Sequence, residues 1–214
     1  MLTLYHCADA RSFRCLWALE ELNLPYELKC LPFPPRWKQP EYLEENPLGT
    51  IPLLIDGATR LTESAAIVQY LATKDGPTSL SVDPGHPDYG MWLNWLHYGE
   101  ATLTFPQTLV LRYRLLEPPE RRLPQAADDY ARWFQKRLEE GLARALADGR
   151  EWLVAGRFTA ADISVAYALL LADTLRLSGD FPPLVADYWA RCQQRDGFRR
   201  AKAAQGQDLT IPSA

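Results

Sequence analysis

The sequence predicts an α/β domain followed by an all-helical one, and three observations carry that prediction. The first 80 residues alternate short strand-like and helical runs. A stretch rich in proline and glycine, Asp75 to Gly90, follows them. Beyond it the apolar pattern is helical.

Leu2-Thr3-Leu4-Tyr5 is the first strand. Arg11 to Leu22 places Phe13, Leu16, Trp17 and Leu19 on one helical stripe, and Asn23-Leu24-Pro25 ends it. Tyr26 to Cys30 alternates apolar and polar side chains as a half-buried strand does. Strand, helix, strand in this order predicts a parallel pair. Pro32 to Pro40 holds four prolines and is expected to be irregular. A short helix, Pro40 to Glu45, leads into a turn at Asn46-Pro47-Leu48-Gly49. Ile51 to Ile55 and Arg60 to Thr62 read as strands joined through Asp56-Gly57, a hairpin signal. Ser64 to Lys74 closes the domain as a helix with Ala65, Ile67, Val68 and Leu71 on its apolar face. The order is β-α-β-α-β-β-α, giving a first domain at 1–80, a linker at 81–88 and a helical domain at 89–214.

In the second half the expected helices are Tyr89 to Leu116, Pro124 to Ala147, Ala160 to Leu177 and Pro183 to Arg195. One local signal is strong. In Phe158-Thr159-Ala160-Ala161-Asp162-Ile163, Thr159 is placed to cap the amide at Asp162 while Asp162 reaches back to the amide of Thr159. Phe158 and Ile163 stand where a hydrophobic staple would. This is a structural signature, the start of a helix apolar nearly all round.

The 214 residues are 47% hydrophobic, 11% aromatic and 23% charged, enough apolar side chain to offset the entropy of ordering the chain. Lys plus Arg total 23 against 27 Asp plus Glu, a net charge of −4 that argues against nucleic acid or an anionic membrane as partner. No apolar run approaches the roughly 18 residues of a membrane span. The opening Met1 to Tyr5 is broken by His6, Asp9 and Arg11, too soon for a signal peptide, so a cytoplasmic location is expected. Cys7, Cys15, Cys30 and Cys192, with His6, His86 and His97, have no metal-site or dithiol spacing. Reduced cysteines and no metal are the expectation.

Chemistry enters at Thr62-Glu63-Ser64-Ala65-Ala66-Ile67, a carboxylate and a hydroxyl at a helix start. The helix amides and Ser64 favour an anion, while Glu63 suits an ammonium group. Together they match the α-amino acid end of a peptide; simple capping is the bland alternative. Ile51-Pro52 opens a strand with a residue that has no amide to donate.

Asn46-Pro47-Leu48-Gly49-Thr50-Ile51-Pro52, followed by Leu61 to Ile67, resembles the cytosolic glutathione transferase family in its bacterial form. So do Leu19-Glu20-Glu21-Leu22-Asn23-Leu24-Pro25-Tyr26-Glu27 and the Thr159 to Asp162 box, and the likeness extends over essentially the whole chain. The resemblance implies a thioredoxin-like first domain, glutathione as co-substrate, no metal and a homodimer. It makes Pro52 the cis proline beside which the Ile51 backbone pairs with the cysteinyl backbone of glutathione. It gives Glu63 and Ser64 the γ-glutamyl end and Lys38 the glycyl carboxylate.

Transfer chemistry needs the thiolate, yet a thiol with a pKa near 8.5 is only about 3% ionised at pH 7. The family supplies a Tyr, Ser or Cys just after the first strand. Here Ser12 is the expected donor, Tyr5 the runner-up and Arg11 a source of positive charge. The family's Ser or Cys lies two or three positions before Ser12, where this chain has Asp9 and Ala10. A small hydrophobic electrophile is expected on the helical domain against Trp95, Tyr98, Thr102 and Phe105, which recur with Trp92 at helical spacing; packing in the helical core is the alternative for this run. Glutathione-dependent isomerisation, dehalogenation or peroxide reduction, and non-catalytic glutathione binding, are the alternatives on the same fold.

Overall fold

The structure is a computed structural model and describes residues 1–206. The described residues divide into two compact units, one of residues 1–81 with 193–206, the other Val82–Cys192.

In the first unit β1 (Leu2–His6) and β2 (Tyr26–Cys30) pair in parallel around α1 (Phe13–Glu21), as the strand-helix-strand order requires. β3 (Leu53–Asp56) runs antiparallel to β1, and β4 (Thr59–Leu61) returns antiparallel through the Asp56-Gly57 turn. The sheet order is β2-β1-β3-β4. Gly57 carries φ +58, a left-handed conformation that glycine adopts without steric cost. Strand alternation sends Leu4 and His6 to one face of the sheet and Tyr5 to the other, where it joins Cys7, Ala10, Tyr42, Ile51 and Leu53 in a buried cluster. α4 (Ser64–Thr73) and α1 pack on each other.

Two expectations change here. The proline-rich stretch is not wholly irregular: α2 (Pro35–Lys38) forms within it, because Pro35 stands at the first turn, where a missing amide costs nothing. α3 (Tyr42–Glu45) follows. The second change is at the other end of the chain. The reading of 89–214 as one helical domain missed α11 (Asp196–Ala204), which belongs to the first unit. Its Phe198 ring stands edge-on to Trp17 at 5.0 Å and to Phe13 at 5.4 Å, both on α1. Arg195 adds a two-pronged pair to Glu21 at 2.7 and 2.8 Å.

The second unit is helical throughout its described elements. α5 (Tyr89–His97) and α6 (Phe105–Leu111) form one run from 89 to 116, with wider π-helical turns at Tyr98–Thr104 and Arg112–Leu116. α7 (Pro124–Arg137) continues through a π-helical stretch, Leu138–Ala143, into α8 (Arg144–Leu146). α9 (Ala160–Thr174) is buried at every position from Ala160 to Ala172, and α10 (Pro183–Gln193) follows. The α5 run crosses α9 so closely that a Cβ on Gly99 would lie 2.5 Å from the Ser164 carbonyl.

The capping box forms as read. Thr159 N–H donates to Asp162 Oδ2 at 2.8 Å while the Thr159 side chain accepts from the first turn. Asp162 also accepts from Leu153 N at 3.0 Å and Tyr188 Oη at 2.9 Å. Burial pushes its carboxyl up to about 6, opposed by these hydrogen bonds to the anion.

Candidate glutathione site

The segment leading to Pro52 is set by Asn46. Its Nδ2 donates to the Thr50 carbonyl at 2.7 Å, which also accepts from Tyr42 Oη at 2.7 Å, and its Oδ1 takes the Leu48 amide at 3.2 Å. Gly49 turns at φ +60, and a Cβ there would meet Arg36 Cβ at 2.8 Å. The chain therefore enters Ile51-Pro52 in one conformation, with the Ile51–Pro52 bond cis.

At the amino end of α4, Glu63 is an extended N-cap residue whose carboxylate makes no capping hydrogen bond. It is exposed and has no cation partner among the described residues. Ser64 behind it is buried, and its Oγ accepts from Arg14 Nη1 at 3.1 Å. A guanidinium has only donors, so the Ser64 proton is left for another acceptor. Cys15 Sγ approaches the Ser64 carbonyl at 3.9 Å, giving α1 a second hold on this residue. Arg14, fully buried, was not anticipated; a charged residue inside the apolar stripe of α1 was the available signal.

Ser12 makes its hydrogen bonds within the first unit. It is fully buried, with Oγ 2.8 Å from His6 Nδ1, accepting from Cys7 N at 3.2 Å and 3.3 Å from the Cys7 carbonyl. A hydroxyl has one proton, and this one is held inside the fold. His6 in turn meets Gln205 Oε1 through Nε2 at 3.2 Å. Burial drops the His6 pKa to about 4, so the ring is neutral at pH 7. Asp9, at φ +51, accepts from Lys202 Nζ at 2.8 Å and Gln205 Nε2 at 2.9 Å, and its own N–H donates to Gln205 Oε1 at 3.2 Å.

Tyr5 is buried on the opposite sheet face, its ring 5.3 Å from Tyr42 and its hydroxyl 3.4 Å from Lys29 Nζ. Arg11 is partly exposed on the 7–12 loop and Lys38 is exposed at the end of α2. Burial pushes the Cys7 thiol up to about 12, so it is no nucleophile at neutral pH.

In the second unit, Tyr98, Ala101, Thr102, Phe105, Pro106 and Trp133 are among the residues lining a cavity of about 450 Å³. Trp95 is not: it is buried against the Tyr98 ring at 4.9 Å, so of the four residues expected to hold an electrophile, three share the cavity. A Cβ on Gly141 would overlap the Tyr98 hydroxyl, which donates to the Arg137 carbonyl at 3.0 Å.

Comparison with known proteins gives this site its class. Residues 10–74 match the family model for the glutathione S-transferase N-terminal domain. The chain is 30% identical over 175 residues to glutathione S-transferase 1 of Schizosaccharomyces pombe, covering 74% of this chain and 70% of that protein. A shorter match, 35% over 103 residues, joins 48% of it to 43% of glutathione S-transferase 3 of the same yeast. Maleylacetoacetate isomerase of Rhizobium meliloti is 32% identical over 77% of each chain. Among solved structures, Ure2p5 from Phanerochaete chrysosporium, cocrystallized with 1-(S-glutathionyl)-2,4-dinitrobenzene, superposes with a TM-score of 0.81 at 25% identity, covering 96% of this chain and 94% of that one. The chain belongs to the glutathione S-transferase family of enzymes, with a thioredoxin-like first domain.

Proposed function

We propose that the protein binds glutathione at the first unit and activates its thiol for attack on a small hydrophobic electrophile. The observation that carries this reading is the amino end of α4. An exposed, unpartnered carboxylate (Glu63) adjoins a hydroxyl (Ser64) whose acceptor site is filled by buried Arg14. The γ-glutamyl ammonium pairs with Glu63, and its carboxylate takes the Ser64 proton and the first amides of α4. The Ile51 backbone pairs with the cysteinyl unit, and Lys38 meets the glycyl carboxylate.

With Ser12 and Tyr5 engaged elsewhere, and the Cys7, Asp9 and Ala10 amides bonded within the fold, the thiolate is received by the other backbone amides of the 7–12 loop at the positive end of α1, with Arg11 adding charge. Lowering a thiol pKa by roughly two units takes about 2.7 kcal/mol of preferential binding of the anion. The thiol proton leaves to solvent. The sulfur lone pair then forms a C–S bond, and on a chloronitroaromatic acceptor the carbon–chlorine pair departs as chloride. Tyr98, Thr102 and Phe105, whose cavity in the second unit is also lined by Arg137 and Glu140, are the residues proposed for such an acceptor. The likeness to an isomerase favours a second reading, in which the same thiolate adds to an unsaturated substrate and is expelled after bond rotation. A cytoplasmic homodimer is part of this proposal.

Calorimetric titration tests the anchor. Glu63→Ala is expected to weaken glutathione binding by about 2–3 kcal/mol, the cost of truncating a charge pair that the bound peptide partly buries. An unchanged dissociation constant overturns the site. Turnover of a chloronitroaromatic by the wild type, set beside cis–trans isomerisation of an unsaturated diacid, separates the two reactions.

A further inference from the structure

A buried polar cluster of the first unit has a single consistent direction of hydrogen bonding, and its fixed ends lie on α11 and the 7–12 loop. The Asp9 carboxylate, paired with Lys202, only accepts, and the Asp9 amide only donates. Gln205 meets both, so its NH2 faces the carboxylate and its oxygen faces the amide. That oxygen also lies 3.2 Å from His6 Nε2, which must then carry the ring proton. His6 Nδ1 is left as an acceptor and takes the Ser12 proton at 2.8 Å, while Ser12 Oγ accepts the Cys7 amide. Every link from Lys202 to Cys7 is thereby determined. The chain of contacts joins residues up to 199 positions apart.

The 7–12 loop turns through Ala10 N–H to the Cys7 carbonyl at 3.1 Å and Phe13 N–H to the Ala10 carbonyl at 2.8 Å, with Cys7 and Ala10 buried. Asp9 holds a left-handed φ of +51 that a non-glycine residue adopts only when its surroundings impose it. Those surroundings include Gln205, which contacts Asp9 through both the backbone and the carboxylate, and Lys202. Asp9, His6 and Gln205 are all buried, so losing one partner strands polar groups away from water.

We propose that Lys202 and Gln205 are positioning residues for the glutathione thiolate: they hold the 7–12 loop in the conformation in which its amides other than those of Cys7, Asp9 and Ala10 receive the sulfur. The inference rests on the glutathione-site reading above. α11 is accordingly part of the thiol-activating apparatus of the first unit, acting through the loop without touching the ligand.

The test measures the pKa of enzyme-bound glutathione from thiolate ultraviolet absorbance, alongside the glutathione dissociation constant. In Gln205→Ala the bound thiol pKa is expected to rise by about one unit, roughly tenfold less thiolate below the pKa. Turnover falls about tenfold at low pH and recovers as the pH rises, while glutathione affinity changes less than about threefold because the α4 anchor is intact. Lys202→Met shows a smaller rise in the same direction, and Lys202→Arg restores the wild-type value. This pair alters a partly exposed side chain and decides the matter if Gln205→Ala does not fold. Variants that melt earlier but keep the wild-type thiol pKa overturn the inference, since they reduce α11 to a structural prop. Wild-type protein that fails to bind glutathione overturns the site reading and this one with it. Wild-type binding with unshifted variants overturns this inference alone.

Discussion

Each unit buries an ionisable polar cluster beside a helix terminus, and the two are built from opposite kinds of contact. Around Asp162 most partners are near neighbours in the chain, Leu153 and Thr159, with Tyr188 as the far member. Around His6 the essential partner, Gln205, is at the other end of the protein. The local cluster forms with the helix it starts and ties that helix to Leu153 and, through Tyr188, to α10. The long-range cluster exists only when α11 has docked, and so ties the conformation of a ligand-facing loop to the packing of a remote helix. Buried polar groups reveal the difference because neither cluster tolerates an unpaired member.

The largest effect separating them is expected from Asp162→Ala. It strands the Leu153 and Thr159 amides and the Tyr188 hydroxyl, and should destabilise by roughly 3–5 kcal/mol in denaturant unfolding. Glutathione affinity of the folded fraction should stay at the wild-type value. A loss below about 1 kcal/mol would show that the cluster is not what holds α9.

Acid titration sharpens the contrast, because the two clusters carry opposite signs. His6 has a pKa of about 4 in the fold and 6.5 when exposed. Between these values the unfolded chain binds more protons, so the His6 contribution, about 3 kcal/mol, is present above pH 6.5 and lost as pH falls toward 4. Asp162 has a pKa of about 6 in the fold against 3.8 outside it. There the folded state binds more protons, so its contribution grows by a similar amount as pH falls from 6 to 4. In the wild type the two slopes oppose each other. Asp162→Asn should therefore lose stability more steeply on acidification than wild type, and His6→Asn less steeply. Parallel curves for all three proteins would mean that neither group titrates in this range.

Ser12→Ala should cost about 1–3 kcal/mol of stability by leaving His6 Nδ1 and the Cys7 amide unpartnered. A variant of unchanged stability whose bound thiol pKa rose by one to two units would return the hydroxyl to the thiolate. The smallest effect in the local cluster belongs to Thr159→Ala, which removes a cap acceptor and one donor to Asp162 and should cost about 1 kcal/mol, with no change in glutathione binding.

What could be read from the chain was whatever depends on near neighbours. The parallel β1-α1-β2 unit, the Asp56-Gly57 hairpin, the Glu63-Ser64 helix start and the Thr159-Asp162 box are each written within a few residues, so spacing alone carries them. Pro35 shows the limit of reading composition: four prolines spelled irregularity, but one fell on the position a helix tolerates. Arg14 beneath Ser64, and Lys202 and Gln205 against Asp9 and His6, were decided only by the tertiary structure. In sequence, Ser12 is a hydroxyl in the expected loop; in the fold its proton is spent on His6. A hydrogen bond between residues nearly 200 positions apart leaves no periodicity or spacing behind it, because its partners are brought together by the packing of Phe198 on α1 and not by the chain between them.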